Sequence, residues 1–365
     1  NLYMFIKKVT LKDFRNYRQQ TVELDPGLNI FAGENASGKT NFAESVYFAA
    51  LGKSPRTNHS KEMINWSAKQ AYINLTVGKK FRDHEITLLV DNKDKKKLLL
   101  DGLPCSRISD LVGVLNVVYF SPDELKMIKD GPQERRRFID ISLCQQSKNY
   151  LYSLQKYNNV LAQRNKLLKS GFGVNTLKET LFVWDAQLAK YGAYIIRKRY
   201  DFIEKLKKLA FISHDKLSGG KEKLALSYEC ALGYDDEEEL EKQFSESLKA
   251  SFLKDTELFF TTFGCHRDDM DITVDGIDVR KYGSQGQQRS AALSLKFAEI
   301  DLFGEETGEK PVLLLDDVLS ELDENRRSEL IKMSSSLQTI ITCTEFDEKA
   351  DHTLFNVSAG TIKKA

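Results

Sequence analysis

Gly33-Glu34-Asn35-Ala36-Ser37-Gly38-Lys39-Thr40 decides how this chain is read. The eight residues match GxxxxGK[ST], and their surroundings match too. An apolar strand, Leu28 to Ala32, precedes them, and a helical run, Thr40 to Leu51, follows. The glycines let backbone N–H groups curl inward, and the start of the helix adds positive potential, so the loop is built to hold phosphate. In this reading Lys39 reaches the phosphates and Thr40 ligates Mg²⁺, while Gly33, Glu34, Asn35, Ala36, Ser37, Gly38 and Asn41 line ATP. The alternative, a chance glycine-rich turn, leaves the flanking strand and helix unexplained.

Outward from that loop, the next chemistry lies near the far end of the chain. Val312-Leu313-Leu314-Leu315-Asp316-Asp317 is an apolar strand ending in paired acids. A buried parallel strand delivers its terminal carboxylates to the sheet edge where a phosphate loop sits. Asp316 is then the second Mg²⁺ residue, and Asp317 the one that orients or deprotonates the attacking water. The competing reading is a core strand ending in a solvated turn. Ser320-Glu321-Leu322-Asp323 follows, as the D-loop of ABC proteins follows their acidic strand.

Gly283-Ser284-Gln285-Gly286-Gln287-Gln288-Arg289 resembles the ABC signature, a Ser-x-Gly-Gln turn opening a helix, here Ser290 to Phe303. Ser284, Gly286 and Gln287 would offer a hydroxyl and helix-start amides to the γ-phosphate of a partner subunit. Such a site needs two copies, so ATP binding predicts a homodimer; a plain capped helix is the competing reading. Leu217-Ser218-Gly219-Gly220-Lys221 looks closer to the transporter signature letter for letter. However, Lys223 to Tyr228 alternates as a strand, so no helix start is presented there.

The rest of the chain sets these pieces in an α/β frame with a helical middle. Phe5 to Leu11 alternates as a half-buried strand, and Asp25-Pro26-Gly27 is a strong turn. Strand patterns at Tyr72–Val77, Glu85–Val90 and Leu98–Leu100 predict a small antiparallel sheet with the Asp91–Lys97 turn at its tip. Ser121-Pro122-Asp123-Glu124 reads as a helix start, opening a helical stretch to about Ala210, with another helix at Glu237–Lys254. Strands at Asp271–Val274 and Ile277–Val279, a helix at Glu324–Ser335 and a last strand at Thr339–Cys343 complete the pattern. The expected organisation is a discontinuous ATPase lobe, residues 1–120 and 255–365, interrupted by a mainly helical insertion, 121–254.

Composition narrows the classes. With 365 residues, 41% hydrophobic and 29% charged, the chain reads as globular. No apolar run spans a bilayer, and no basic-then-apolar secretory layout is present. Asn1-Leu2-Tyr3 ahead of Met4 is set aside as an expression scar. Five scattered cysteines without a CxxC pair point away from disulfides and zinc and toward a reducing cytoplasm. Formal net charge is only +1, so any nucleic-acid surface must be a local patch. Two clusters qualify, Lys95, Lys96 and Lys97 on a turn and Arg135, Arg136 and Arg137 on a helix; each reads equally as a solvated face. Thr342 ends the last strand where ABC proteins place a switch histidine, or is a plain β-branched strand residue. The turn His266-Arg267-Asp268-Asp269 is left without an assigned role.

Together these residues resemble the RecF family of bacterial recombination mediators. Phe14-Arg15-Asn16-Tyr17, Phe120-Ser121-Pro122, Arg135-Arg136-Arg137-Phe138, Gln163-Arg164-Asn165 with Leu167-Leu168, and His266 to Asp269 fit that family beyond the ATPase motifs. Cys265 departs from it, standing where the family usually has proline. The resemblance implies an ABC-type head like that of SMC proteins, with a helical insertion lobe and no long coiled coil. It also implies ATP-dependent dimerisation, binding to duplex and gapped DNA, and cooperation with RecR and RecO in placing RecA; Ser284, Lys39 and Asp317 would carry a weak, DNA-stimulated ATP hydrolysis. A transporter ATPase lacks the arginine triplet and usually carries glutamate after the strand aspartate. A structural chromosome ATPase needs far more heptad sequence than the middle segment offers. An ATP clamp of either kind remains the alternative.

Overall fold

The alternating start becomes a long strand, β1 (Phe5–Phe14), with Ile6, Val9, Leu11 and Phe14 buried. A tight turn at Arg15 and Asn16 returns it as β2 (Tyr17–Glu23), and Asp25-Pro26-Gly27 leads into β3 (Leu28–Ala32), the glycine loop and α1 (Lys39–Leu51). Next come β4 (Gln70–Gly78), β5 (His84–Asp91), β6 (Lys96–Leu100), β7 (Leu103–Cys105) and β8 (Val117–Phe120). The middle carries α2 (Lys126–Lys129), α3 (Pro132–Gln146), α4 (Lys148–Leu168), α5 (Val174–Ser218), β9 (Leu224–Glu229), α6 (Glu237–Leu258), β10 (Asp269–Val274), β11 (Ile277–Asp278) and α7 (Val279–Tyr282). The chain ends with α8 (Gln285–Thr307), β12 (Val312–Asp316), α9 (Glu324–Ser334), β13 (Thr339–Cys343), β14 (His352–Ser358) and β15 (Thr361–Lys364). This computed structural model describes residues 4–233, 235–346 and 350–365, so Asn1-Leu2-Tyr3 lie outside the described residues.

The chain divides into two compact units, Asn1–Leu125 with Lys296–Ala365, and Lys126–Leu295. The second boundary falls well beyond the expected 254/255. The reason is strand pairing: β10 runs antiparallel to β9, from Asp269↔Glu229 to Val274↔Leu224, which ties the segment after α6 to the helical lobe.

In the first unit, β8, β12, β13, β3 and β14 run parallel, in the order β15-β14-β3-β13-β12-β8, with β15 antiparallel at the edge. Every residue of β12 and β13 is buried, as strands covered on both faces must be. Register does the positioning: Asp316 pairs with Thr342, and Thr342 with Phe31, so the acidic strand end and the glycine loop share one sheet edge. A second, antiparallel sheet, β2-β1-β4-β5-β6-β7, contains the hairpin expected around Asp91–Lys97. Helix α1 packs against strands of both sheets and is buried nearly all round. Its Glu44 sits inside the protein because Arg15 grips both carboxylate oxygens, at 2.8 and 2.9 Å, and Ser54 donates at 2.6 Å.

The expected helix start also needs correction. Ser121 to Glu124 does not open a long helix: Pro122–Leu125 makes one 3₁₀ turn, α2 adds four residues, and α3 starts afresh with Pro132 in its first turn. The strands β14 and β15 were not anticipated, although β14 pairs with β3 directly below the glycine loop.

The helical unit is pinned by a buried arginine. Arg164, on the inward stripe of α4 with Tyr157, Val160 and Leu168, bonds Asp185 of α5 and Asp255 of α6, each at 2.6 Å, and Thr261 at 2.9 Å. Removing one partner of such a fully buried pair costs about 3–5 kcal/mol. Asn165 beside it accepts from both the amide and the hydroxyl of Thr261. The Gln-Arg-Asn run is therefore a fastening between three helices.

Candidate functional site

The glycine loop has the shape its letters require. A Cβ on Gly33 would lie 2.2 Å from the carbonyl oxygen of Val357 in β14, and Gly38 has φ +123°, a conformation L residues avoid. Lys39 is buried and folds its ammonium onto the loop, donating to the carbonyls of Gly33 at 2.6 Å and Glu34 at 2.8 Å. The hydroxyl of Ser37 is buried with no partner among the described residues. A polyanion suits this arrangement: it would take the lysine and satisfy the orphaned hydroxyl. Asn35, Ala36, Gly38, Lys39, Thr40, Asn41, Arg56 and Asp317 line a cavity of 390 Å³ over the loop.

Asp316 faces the same place. Its Oδ1 accepts from Thr40 Oγ1 at 3.0 Å and Thr342 Oγ1 at 2.6 Å, and its Oδ2 accepts from the Tyr119 hydroxyl at 2.9 Å. The paired Thr40 hydroxyl and Asp316 carboxylate are hard oxygen donors, the set Mg²⁺ uses beside a nucleotide. Asp317 is exposed and adopts φ +55°, which turns its carboxylate off the strand into the cavity's lining. Desolvation, then the adjacent Asp316 charge, raises its pKa above the usual aspartate value, against the pull of Lys39. A carboxylate made more basic in this way suits proton abstraction from water.

The Ser284 turn opens a helix. Ser284 Oγ accepts from the Gln287 amide at 3.2 Å while Gln287 Oε1 accepts from the Ser284 amide at 2.9 Å, a reciprocal capping box on the exposed start of α8. The Ser218 turn is the opposite: Gly219 (φ +64°) terminates α5, and the Gly220 amide donates back to the Asp215 carbonyl at 2.8 Å.

The two basic clusters separate into different fates. Arg135 is buried and grips both carboxylate oxygens of Asp269, at 2.6 and 2.8 Å, so it is a structural ion pair and unavailable to DNA. Arg136 is half-buried against the Asp268 carbonyl, and Arg137 is exposed beside Glu134. Lys96 reaches back to the Gly52 carbonyl at the end of α1, while Lys95 and Lys97 stand exposed.

The His266 turn is also architecture. Arg199, fully enclosed, holds Asp140 with two 3.0 Å bonds and the Cys265 carbonyl at 2.6 Å, which fixes the turn. Tyr228 donates to Asp268, and His266 bonds Tyr157 and the Thr261 carbonyl. Burial lowers the His266 pKa to about 4, so the ring is neutral at physiological pH.

Three features of the site escaped the sequence reading. Asn16 Nδ2 donates to the Ser37 carbonyl at 2.9 Å and Tyr17 to the Gly38 carbonyl at 2.8 Å, so the Arg-Asn-Tyr turn braces the glycine loop from one side. The β14–β15 hairpin braces it from another, with the Gly360 amide on the Ser37 carbonyl at 3.0 Å. A second cavity, of 590 Å³, shares Asn41 and Arg56 with the first and is rimmed by Arg15, Arg18, Asn65 and the wholly exposed Trp66. Only the first had any signal, the Phe14–Tyr17 run itself.

Known proteins resemble this chain over nearly its whole length. The sequence pattern of the RecF/RecN/SMC N-terminal domain matches residues 5–360. The DNA replication and repair protein RecF of Lachnoclostridium phytofermentans is 44% identical over 99% of this chain and 100% of its own length. A solved structure of the recombination mediator RecF with an ATP analogue, titled as part of the RecFOR pathway, superposes with a TM-score of 0.92 at 34% identity, covering 99% of this chain and 98% of that one. The Smc head domain of Pyrococcus furiosus, at 19% identity and a TM-score of 0.59 over 99% of this chain and 96% of its own, shares the fold. With the phosphate loop, the acidic strand and the helix-opening serine all present in that frame, the chain belongs to the RecF family.

Proposed function

We propose that this chain is an ATP-driven DNA clamp of recombinational repair, closing as a homodimer on ATP and reopening by slow hydrolysis. The observation that carries it is the convergence of Lys39, Thr40 and Asp317 on one cavity, with Asp316 bonded to Thr40 behind it, across β3, β13 and β12. In the reading, the loop amides, Ser37 and Lys39 hold the β- and γ-phosphates, and the Trp66 cavity takes base and ribose. Thr40 and Asp316 hold Mg²⁺, which supplies charge neutralisation at the phosphates. Asp317 orients and deprotonates water, and Ser284, Gly286 and Gln287 of the opposite protomer close over the γ-phosphate. One methylene shorter than glutamate, Asp317 reaches less far, which fits slow turnover. DNA, RecR, RecO and RecA are the partners that kinship supports; for DNA, the exposed cations of the two clusters are Lys95, Lys96, Lys97 and Arg137.

Complementation tests this reading. Lys39→Met and Ser284→Arg are each expected to be inactive. Mixed, they form a dimer in which one of the two composite sites has an intact loop and an intact signature, so ATP turnover returns in part. Turnover that stays absent at every mixing ratio contradicts the shared-site dimer.

A further inference from the structure

Tyr119 and Thr342 have no part in the nucleotide chemistry assigned above, yet both end on the same carboxylate. Strand β12 lies between β8 and β13, and one hydroxyl arrives from each neighbour: Tyr119 from β8 on Oδ2 of Asp316 at 2.9 Å, Thr342 from β13 on Oδ1 at 2.6 Å. Both side chains are buried, and the Tyr119 ring is fixed against Tyr47 at 5.3 Å between centroids. A carboxylate offers about four lone-pair positions, and with Thr40 three are taken. Thr40 is the donor that a cation would claim for itself. Once its hydroxyl turns to the metal, Tyr119 and Thr342 are the donors left to hold Asp316.

Thr342 works in two directions. Its hydroxyl donates to Asp316 and accepts from the Asp317 amide at 3.1 Å, while its carbonyl accepts from that same amide, also at 3.1 Å. Asp317 has φ +55°, a left-handed conformation that aspartate tolerates and does not prefer, and this double acceptor helps to hold it there. Valine would keep the shape and lose both hydroxyl bonds; serine would keep both.

We propose that Tyr119 and Thr342 are positioning residues, a pair of buried hydroxyls that aim the Asp316 carboxylate at the nucleotide's divalent cation and, through Thr342, set the backbone of Asp317. The proposal rests on the ATP and Mg²⁺ reading of the site. Its signature is a change in Mg²⁺ dependence, because the phosphate loop itself is left intact.

The test uses the full chain and a fluorescent, non-hydrolysable ATP analogue, titrated with Mg²⁺ and also measured in chelator. Tyr119→Phe and Thr342→Val should raise the half-saturating Mg²⁺ concentration about tenfold or more, the usual effect of losing a hydrogen bond behind a metal carboxylate. Affinity in chelator should match the parent, and Thr342→Ser should restore the parent's Mg²⁺ curve. Parent-like curves for both variants overturn the proposal, as does an equal loss of affinity with and without Mg²⁺, which marks general packing. A parent chain that binds no analogue overturns the ATP reading and the proposal with it. A parent that responds to Mg²⁺, with variants whose curves match it, overturns the proposal alone.

Discussion

Ser218-Gly219-Gly220-Lys221 and Ser284-Gln285-Gly286-Gln287 carry similar letters at opposite ends of helices. The first closes α5: Gly219 and Gly220 have positive φ, and the last carbonyls of the helix make this the negative end of its dipole. The second opens α8, where serine and glutamine cap each other at the positive end of the helix dipole. A phosphate is attracted to one turn and repelled by the other. Resemblance to a signature is therefore decided by helix polarity, which the strand β9 after the first turn already betrays in the sequence.

That contrast can be separated from the chemistry it serves. The largest expected effect is on turnover: Asp317→Asn should lower ATP hydrolysis by about 10²–10⁴-fold while the ATP-bound dimer persists, since the helix-opening turn is untouched. Normal hydrolysis in this variant would falsify the water-activating role. A smaller effect separates the two glycines. Gly286 is helical, so Gly286→Ala should keep or raise the melting temperature, alanine being favoured there by about 1 kcal/mol, yet weaken the ATP-dependent dimer. Gly219→Ala should do the reverse, losing about 1 kcal/mol of stability through its left-handed backbone and leaving dimerisation alone. Thermal melts and sizing of both variants check the pair; a lower melting temperature for Gly286→Ala would mean that its backbone, too, needs glycine.

How much was legible follows from how local each feature is. The glycine loop, the acidic strand end and the helix start at Ser284 are short segments set by strand, helix and turn chemistry, so their local structure is legible in their letters. Arg135 was readable and misread: it shares the inward stripe of α3 with Phe138, Ile139 and Ser142, while Arg137 points out. A triplet of one charge hides that difference unless helical period is applied to it. Arg164 falls on its stripe in the same way. Strand β14 was missed because His352-Thr353-Leu354-Phe355-Asn356-Val357-Ser358 becomes a core strand only through pairing with β3, far away in sequence. The bonds of Tyr119 and Thr342 to Asp316 likewise depend on strand order, which no local pattern carries.

The central claim is that the start of α8, and not the end of α5, completes an ATP site across a dimer. The most direct measurement compares Ser284→Arg and Ser218→Arg by sedimentation with and without ATP. The account predicts that Ser218→Arg dimerises on ATP as the parent does. Ser284→Arg should stay monomeric while still binding ATP, because its phosphate loop is intact. A dimer that survives Ser284→Arg and is lost in Ser218→Arg would contradict the account and move the signature to the other turn.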